Sequence, residues 1–277
     1  MVVVLWRRLQ LSRRIAAGGL MNGSITIPRI VAVEVLDTLV ADDPAALRSR
    51  RDLQRVHRVM RTRAILRQAL HLSVASHPGK APLCILELGA GDGSLMLSVA
   101  RDLAPTWPPV ELTLLDRQGI VDDETIRRYA ELGWTVVKQV VDVLDWADET
   151  IDTPPAHWDL IVANLFLHHF QGVQLAALLA AIALRSDRFL ACEPRRAWFA
   201  LAGSYLAGVV GAGAVTREDA VLSVHAGFRE KEITALWPVS RDEWQVREYS
   251  AGLFSHCFYA ERIERIERSR SSDANRL

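Results

Sequence analysis

Cysteine is scarce. Cys84, Cys192 and Cys257 are the only three in 277 residues, and each is isolated in an apolar run. An odd count with no C-x-x-C pair argues against a disulfide framework, so a reducing cytoplasm is the expected compartment. No metal site stands out. An excess of charge is lacking as well, with Lys plus Arg and Asp plus Glu at 33 each. That balance gives no reason to expect a nucleic-acid partner. No secretory signal is expected at this start, because the apolar run Met1 to Trp6 precedes Arg7, Arg8, Arg13 and Arg14 instead of following them. Residues 1–27 are expected to be a disordered extension. An Arg-rich, acid-free start is also that of an organelle transit peptide, and Met21 is an alternative start. The one uncharged stretch near spanning length, Ala197 to Val215, is interrupted by Gly203, Gly208, Gly211 and Gly213. It is expected to form an apolar helix and loop that line a substrate pocket and suit an aromatic or lipid-like acceptor, with no membrane span.

Two nucleotide motifs are also missing. No G-K-[ST] follows the glycine-rich stretch Gly89-Ala90-Gly91-Asp92-Gly93-Ser94, which excludes a P-loop. Ser94 stands where a dinucleotide fingerprint would place its third glycine. What remains is informative. Pro82 to Leu88 reads as a buried strand, the glycines as a tight turn, and Leu95 to Leu103 as a helix. A strand that bends on glycines into a helix turns bare N–H groups and the positive helix end toward a ligand. Val110 to Leu115 is a second strand ending at Asp116-Arg117, and a carboxylate there offers two acceptor oxygens to ribose hydroxyls. Asp122 to Leu132 is a helix. Trp134 to Val141 is a third strand followed by Asp142-Val143, with Asp145 as a rival acid. Trp158 to Asn164 is a fourth strand, and Leu165-Phe166-Leu167-His168-His169-Phe170 follows it. Gln171 to Arg185 is a helix, and Phe189 to Cys192 a fifth strand ending in Glu193-Pro194-Arg195-Arg196. That end forms an ion pair, holds a substrate acid or caps the strand. Trp244 to Tyr249 and Phe254 to Arg262 read as a terminal strand pair.

Before the glycine bend lies a helical region, residues 28–80. Val31 to Val40 is apolar but broken by Glu34 and Asp37. Asp42-Asp43-Pro44 is a helix start, after which Leu47, Leu53, Val56, Val59-Met60 and Leu70 mark an apolar face. The opposite face is rich in arginine, either solvated or turned to an anionic partner. After the fifth strand, Thr216 with Asp219 is expected to cap a helix ending at Gly227. Glu264 to Leu277 is a polar tail.

The pattern Glu87-x-Gly89-x-Gly91-x-Gly93 resembles motif I of the class I S-adenosylmethionine-dependent methyltransferases. The resemblance covers about Leu83 to Arg262. It implies an α/β fold, with a doubly wound, mostly parallel seven-stranded sheet over residues 81–263 and the N-terminal helices as a lid. It also implies S-adenosyl-L-methionine as cofactor, held by Glu87, Gly89, Ala90, Gly91, Gly93, Asp116, Arg117 and Asn164. Asp142 and the Val143 backbone would meet the adenine. For transfer to a hydroxyl, His168 or His169 would act as base. The stretches NLFLHHF and EPRR look like those of bacterial small-molecule methyltransferases of secondary metabolism, some associated with polyketides, so a small-molecule acceptor is the expected partner. An N-P-P-Y-type motif is lacking after the fourth strand, against methylation of an amide or nucleobase nitrogen. A homodimer is compatible with the sequence. The alternatives are a cofactor-binding but inactive subunit of a biosynthetic complex and, against Ser94, an NAD-dependent dehydrogenase.

Overall fold

The computed structural model describes residues 27–74, 82–148, 156–205, 208, 211–238 and 242–263. The expected extension up to residue 26, the whole of the expected tail and the break at His77-Pro78-Gly79 lie outside these residues. Seven strands form one sheet: β1 (Leu83–Leu88), β2 (Val110–Asp116), β3 (Trp134–Val140), β4 (Leu160–Asn164), β5 (Arg188–Pro194), β6 (Trp244–Ala251) and β7 (Ser255–Arg262), in the order β3-β2-β1-β4-β5-β7-β6. The first five run parallel, and β7 is antiparallel to both β5 and β6. The strand order reverses between β1 and β4, where an open parallel sheet has its ligand crevice.

Burial explains the strand assignments. Within β1, Leu83, Ile85, Leu86 and Leu88 are fully buried, as a central strand covered on both faces requires. Edge strand β3 buries Trp134 and leaves most of its later residues exposed. One core lies between the sheet and helices α2 (Thr62–Val74), α3 (Ser94–Leu103) and α4 (Asp123–Glu131). The other packs α5 (Val143–Asp148), α6 (Gly172–Arg185) and α9 (Glu232–Leu236) on the opposite face. No described helix is long and apolar enough to cross a membrane.

The N-terminal region departs from the expected amphipathic pattern. Helix α1 (Pro44–Met60) starts as expected, with Asp43 accepting from the Ala45 N–H at 2.7 Å. It ends at Arg61 in a left-handed conformation (φ 58°), so two helices replace one continuous run. Its buried face carries Ala46, Ser49 and Asp52, whereas Leu47 and Val59 are exposed. The reason is a polar partner. Helix α8 (Ala214–Ala226) begins two residues before the expected cap, so Thr216 lies within it. The Thr216 hydroxyl stands 3.0 Å from Ser49 Oγ and donates to Asp52 at 3.3 Å, and Asp52 also accepts from the Gly213 N–H at 2.8 Å. Asp219 likewise caps no helix. It accepts from the N–H groups of Val35 and Leu36 and so ties the N-terminal segment down. Helix α7 (Trp198–Tyr205) occupies the start of the uncharged stretch.

Asp52 is the hub of this attachment. Truncation strands the half-buried Gly213 N–H and removes one of the two partners of the buried Thr216 hydroxyl, so Asp52→Ala is expected to lower unfolding free energy by about 1–3 kcal/mol. Urea unfolding of the variant measures this, and an unchanged midpoint would show that α1 is held by other contacts.

Candidate functional site

A cavity of about 590 Å³ opens at the carboxyl ends of β1, β2 and β4. That size lies within the ~300–1,000 Å³ common to small-molecule sites. Glu87, Gly89, Ala90, Gly91, Asp116, Arg117, Asp142, Val143, Asn164, His168 and His169 all line it. Of the expected cofactor residues only Gly93 does not. It serves as the left-handed N-cap of α3, packed against Leu114 and Thr125. Asp145 lies within α5 and does not line the cavity, which leaves Asp142 as the acid at that position.

The glycine bend is held from β2. The Gly89 and Ala90 N–H groups donate to Leu115 O at 2.9 and 3.1 Å. The Gly91 N–H donates to Asp116 Oδ2 at 2.8 Å, and Asp116 Oδ1 accepts from the Gln118 N–H at 2.8 Å. Each oxygen keeps a second lone pair. The glycines differ in purpose. A Cβ on Gly89 would fall 2.2 Å from the Phe166 ring, so that glycine makes room for the chain leaving β4. A Cβ on Gly91 would meet nothing within 4 Å, so its left-handed backbone (φ 57°) leaves open space at the cavity wall. Two buried acceptors lack partners among the described residues, Glu87 Oε2 and Asn164 Oδ1. Arg117 turns to the N-terminal segment and donates to Asp37 O at 2.7 Å.

The opposite wall is built on Glu193. This fully buried carboxylate accepts from the N–H groups of Phe166, Leu167 and His168 and stands 2.9 Å from His168 Nδ1. Of the three readings of the fifth strand's end, capping therefore fits Glu193, though it caps the 3-10 turn Leu167–His169. Arg196 pairs with Glu232, and Arg195 lies over the Phe199 ring. The turn begins at Leu165, a non-glycine residue with φ 50°. Strain of this kind is kept where neighbours over-determine the backbone.

His168 Nε2 lies 3.2 Å from Glu34 Oε1. Burial alone would lower the pKa of His168, but the hydrogen bonds and charges of Glu193 and Glu34 push it up to about 9. Both His168 nitrogens face carboxylates, so a substrate proton would have to compete with Glu34 for Nε2. His169 is shifted down, first by burial and then by the charge on His168. Its Nδ1 stands 3.3 Å from Asp37 Oδ2.

Sequence reasoning missed Glu34, Asp37, Gln54, His57, Gln118 and Ser223, all of which line the cavity. The signal for two of them was the pair of acids breaking the apolar run Val31 to Val40. The uncharged stretch fails the other way, because none of its described residues lines the cavity. The arginine-rich face of α1 is tied to the protein itself: Arg50 donates to Ala41 O and Gln118 Oε1, and Arg55 pairs with Asp52 and donates to Gly211 O.

No protein-family model matches this chain, and no curated protein matches it in sequence. Among solved structures it is similar to the plantazolicin methyltransferase BpumL in complex with SAH. That match has a TM-score of 0.58 and 13% identity, and covers 80% of this chain and 91% of the other. The plantazolicin methyltransferase BamL in complex with triazolic desmethylPZN analog and SAH aligns with a TM-score of 0.54 at 13% identity, covering 82% of this chain and 92% of the other. This chain has the class I methyltransferase fold. Identity this low carries the fold and nothing finer.

Glu87 makes one property of the cavity measurable. Burial, then the charges of Asp116 and Asp92, push its carboxyl up to about 8. The folded chain keeps a proton that the unfolded chain loses near the ordinary carboxylate value. Stability therefore falls as pH rises between those two values, by up to about 1.4 kcal/mol per pH unit, and the loss is complete above the folded value. Glu87→Gln removes this dependence. Urea unfolding at about pH 5 and about pH 9 should show the variant gaining on wild type at the higher pH. Equal gains at both would show that Glu87 does not carry the effect.

Proposed function

We propose that the protein is a methyltransferase that uses S-adenosyl-L-methionine and acts on a hydroxyl of a small aromatic or polyketide-type metabolite. One observation carries the cofactor: the Gly91 N–H is fixed to Asp116 while, in the same cavity, Glu87 Oε2 and Asn164 Oδ1 have no partner. This donor set fits the group. Asp116 offers its remaining lone pairs to ribose hydroxyls, and Asp142 and Val143 lie where the adenine would reach them. The unpartnered acceptors Glu87 and Asn164 suit the ammonium of the methionine part. Bound there, the cofactor would supply an electrophilic sulfonium methyl group.

The chain's own contribution is placement. The glycine bend and the Asp116 carboxylate orient the nucleoside. Phe166 and the N-terminal segment at Val31 to Asp37 line the cavity and cover part of it. Holding an acceptor oxygen in line with a methyl group accounts for most of the rate in such a transfer. His169, lining the cavity beside Asp37, marks the acceptor end. The two neighbours support this reading through the molecules bound to them: both hold SAH, and BamL also holds a triazolic desmethylPZN analog.

Calorimetry with S-adenosylhomocysteine tests the proposal, and no binding by folded protein would end it. Asp116→Ala is expected to weaken binding at least about tenfold, equivalent to about 1.4 kcal/mol, with the fold retained. Incubation with radiolabelled methyl donor and a lysate of the source cells should label one small molecule. Binding with no labelled product would favour the inactive-subunit alternative.

A further inference from the structure

The acceptor end of the cavity holds a cluster whose composition the proposed transfer does not use. Glu34 arrives from the N-terminal segment, and His168 and His169 from the turn after β4. One ligand atom from each lies within 4.8 Å of the others. Two imidazoles and a carboxylate gathered at one point are a metal-ligand set, and imidazole favours zinc and its transition-metal neighbours over magnesium or calcium. Glu34 Oε1 and His168 Nε2, 3.2 Å apart, are spaced like adjacent ligands of one ion.

The surroundings support this more specifically than the cluster itself. A metal-bound imidazole is normally held by a carboxylate on its other nitrogen. His168 has that partner in Glu193, 2.9 Å from Nδ1, and Glu193 is fully buried and fixed by three backbone N–H groups. Glu34 is oriented in turn by the Ser223 hydroxyl. All three ligand residues line the cavity, so coordination positions left by the protein would face the space that holds water or an acceptor.

We infer that Glu34, His168 and His169 form a binding site for one divalent transition-metal ion of the zinc class. The ion takes the place of the proton between His168 and Glu34. A hydroxyl group bound at an open position would be made more acidic by the ion, so its activation need not draw on His168, whose nitrogens both face carboxylates. Metal binding itself does not rest on the methyl-transfer reading, and its test needs no cofactor.

The full chain, stripped with a chelator, is titrated with Zn²⁺ against a chromophoric competitor. One equivalent should bind. Glu34→Gln and His169→Gln should each weaken it at least tenfold, while substitution of the exposed His71 on α2 by Gln (His71→Gln) should leave it unchanged. Co²⁺ gives a second readout on wild-type protein that no folding defect can mimic: ligand-field bands and X-ray absorption should report two imidazoles and a carboxylate. Thermal melts should show Zn²⁺ raising Tm in wild type and not in Glu34→Gln. No stoichiometric binding, equal affinity in all three variants, or a Co²⁺ shell without imidazole would overturn the site and show that the cluster is an ion pair only.

Discussion

The cavity depends on one hydrogen bond across neighbouring strands, from the Gly91 N–H to Asp116 Oδ2. It is possible because β1 and β2 run in parallel register and end together, with Leu88 opposite Leu115. The residue after Leu115 then meets the bend after Leu88. A side-chain acceptor is needed at Gly91 because the nearest strand carbonyl, Leu115 O, already accepts from Gly89 and Ala90. The bond fixes a left-handed glycine backbone that would otherwise sample many conformations, and the ordering is complete before any ligand arrives. A wall of N–H groups held in this way costs nothing further to organise on binding.

Burying ionisable groups around the cavity is more expensive. Glu193, Glu87 and His168 are ionisable groups out of contact with water. Removing a carboxylate from water costs several kcal/mol unless hydrogen bonds replace hydration. Glu193 recovers that cost through three N–H donors and an imidazole, whereas Glu87 does not, and its carboxyl takes up a proton instead. The two acids show two responses to one penalty, decided by the number of donors nearby. A fold selected for stability alone would place leucine at Glu87. An unpaired buried carboxyl facing a cavity is better understood as an acceptor reserved for a ligand.

What was legible in the sequence follows from how local each determinant is. The strands read well because central parallel strands must be apolar on both faces, so Leu83 to Leu88 and Leu160 to Val162 announce themselves. The glycine bend and Asp116 read well because a turn at positive φ restricts residue type at fixed positions. Helix α1 read badly on its inner face, where the periodic leucines and valines pointed to a buried stripe. Its true buried residues, Ser49 and Asp52, are satisfied by Thr216 and Gly213, more than 150 positions away. No window on α1 contains that information. Thr216 and Asp219 misled for the same reason, since a residue type suited to capping suits a distant polar contact equally well. The histidines stood in the expected place, but the partners that decide their chemistry, Glu34 and Glu193, come from elements separated from them by 134 and 25 positions.

The segment carrying Glu34 and Asp37 therefore has more to do than cover the cavity. Its backbone is tied to Asp219 through Val35 and Leu36, and to His225 through Ile30. Its side chains complete the cluster at His168 and His169 and anchor Arg117 beside the β2 end. The two walls thus share one covering element. Displacing residues 30–37 would unpair Arg117 and strip a carboxylate from the imidazoles together, because the groups that line this side of the cavity are the groups that hold the segment against it.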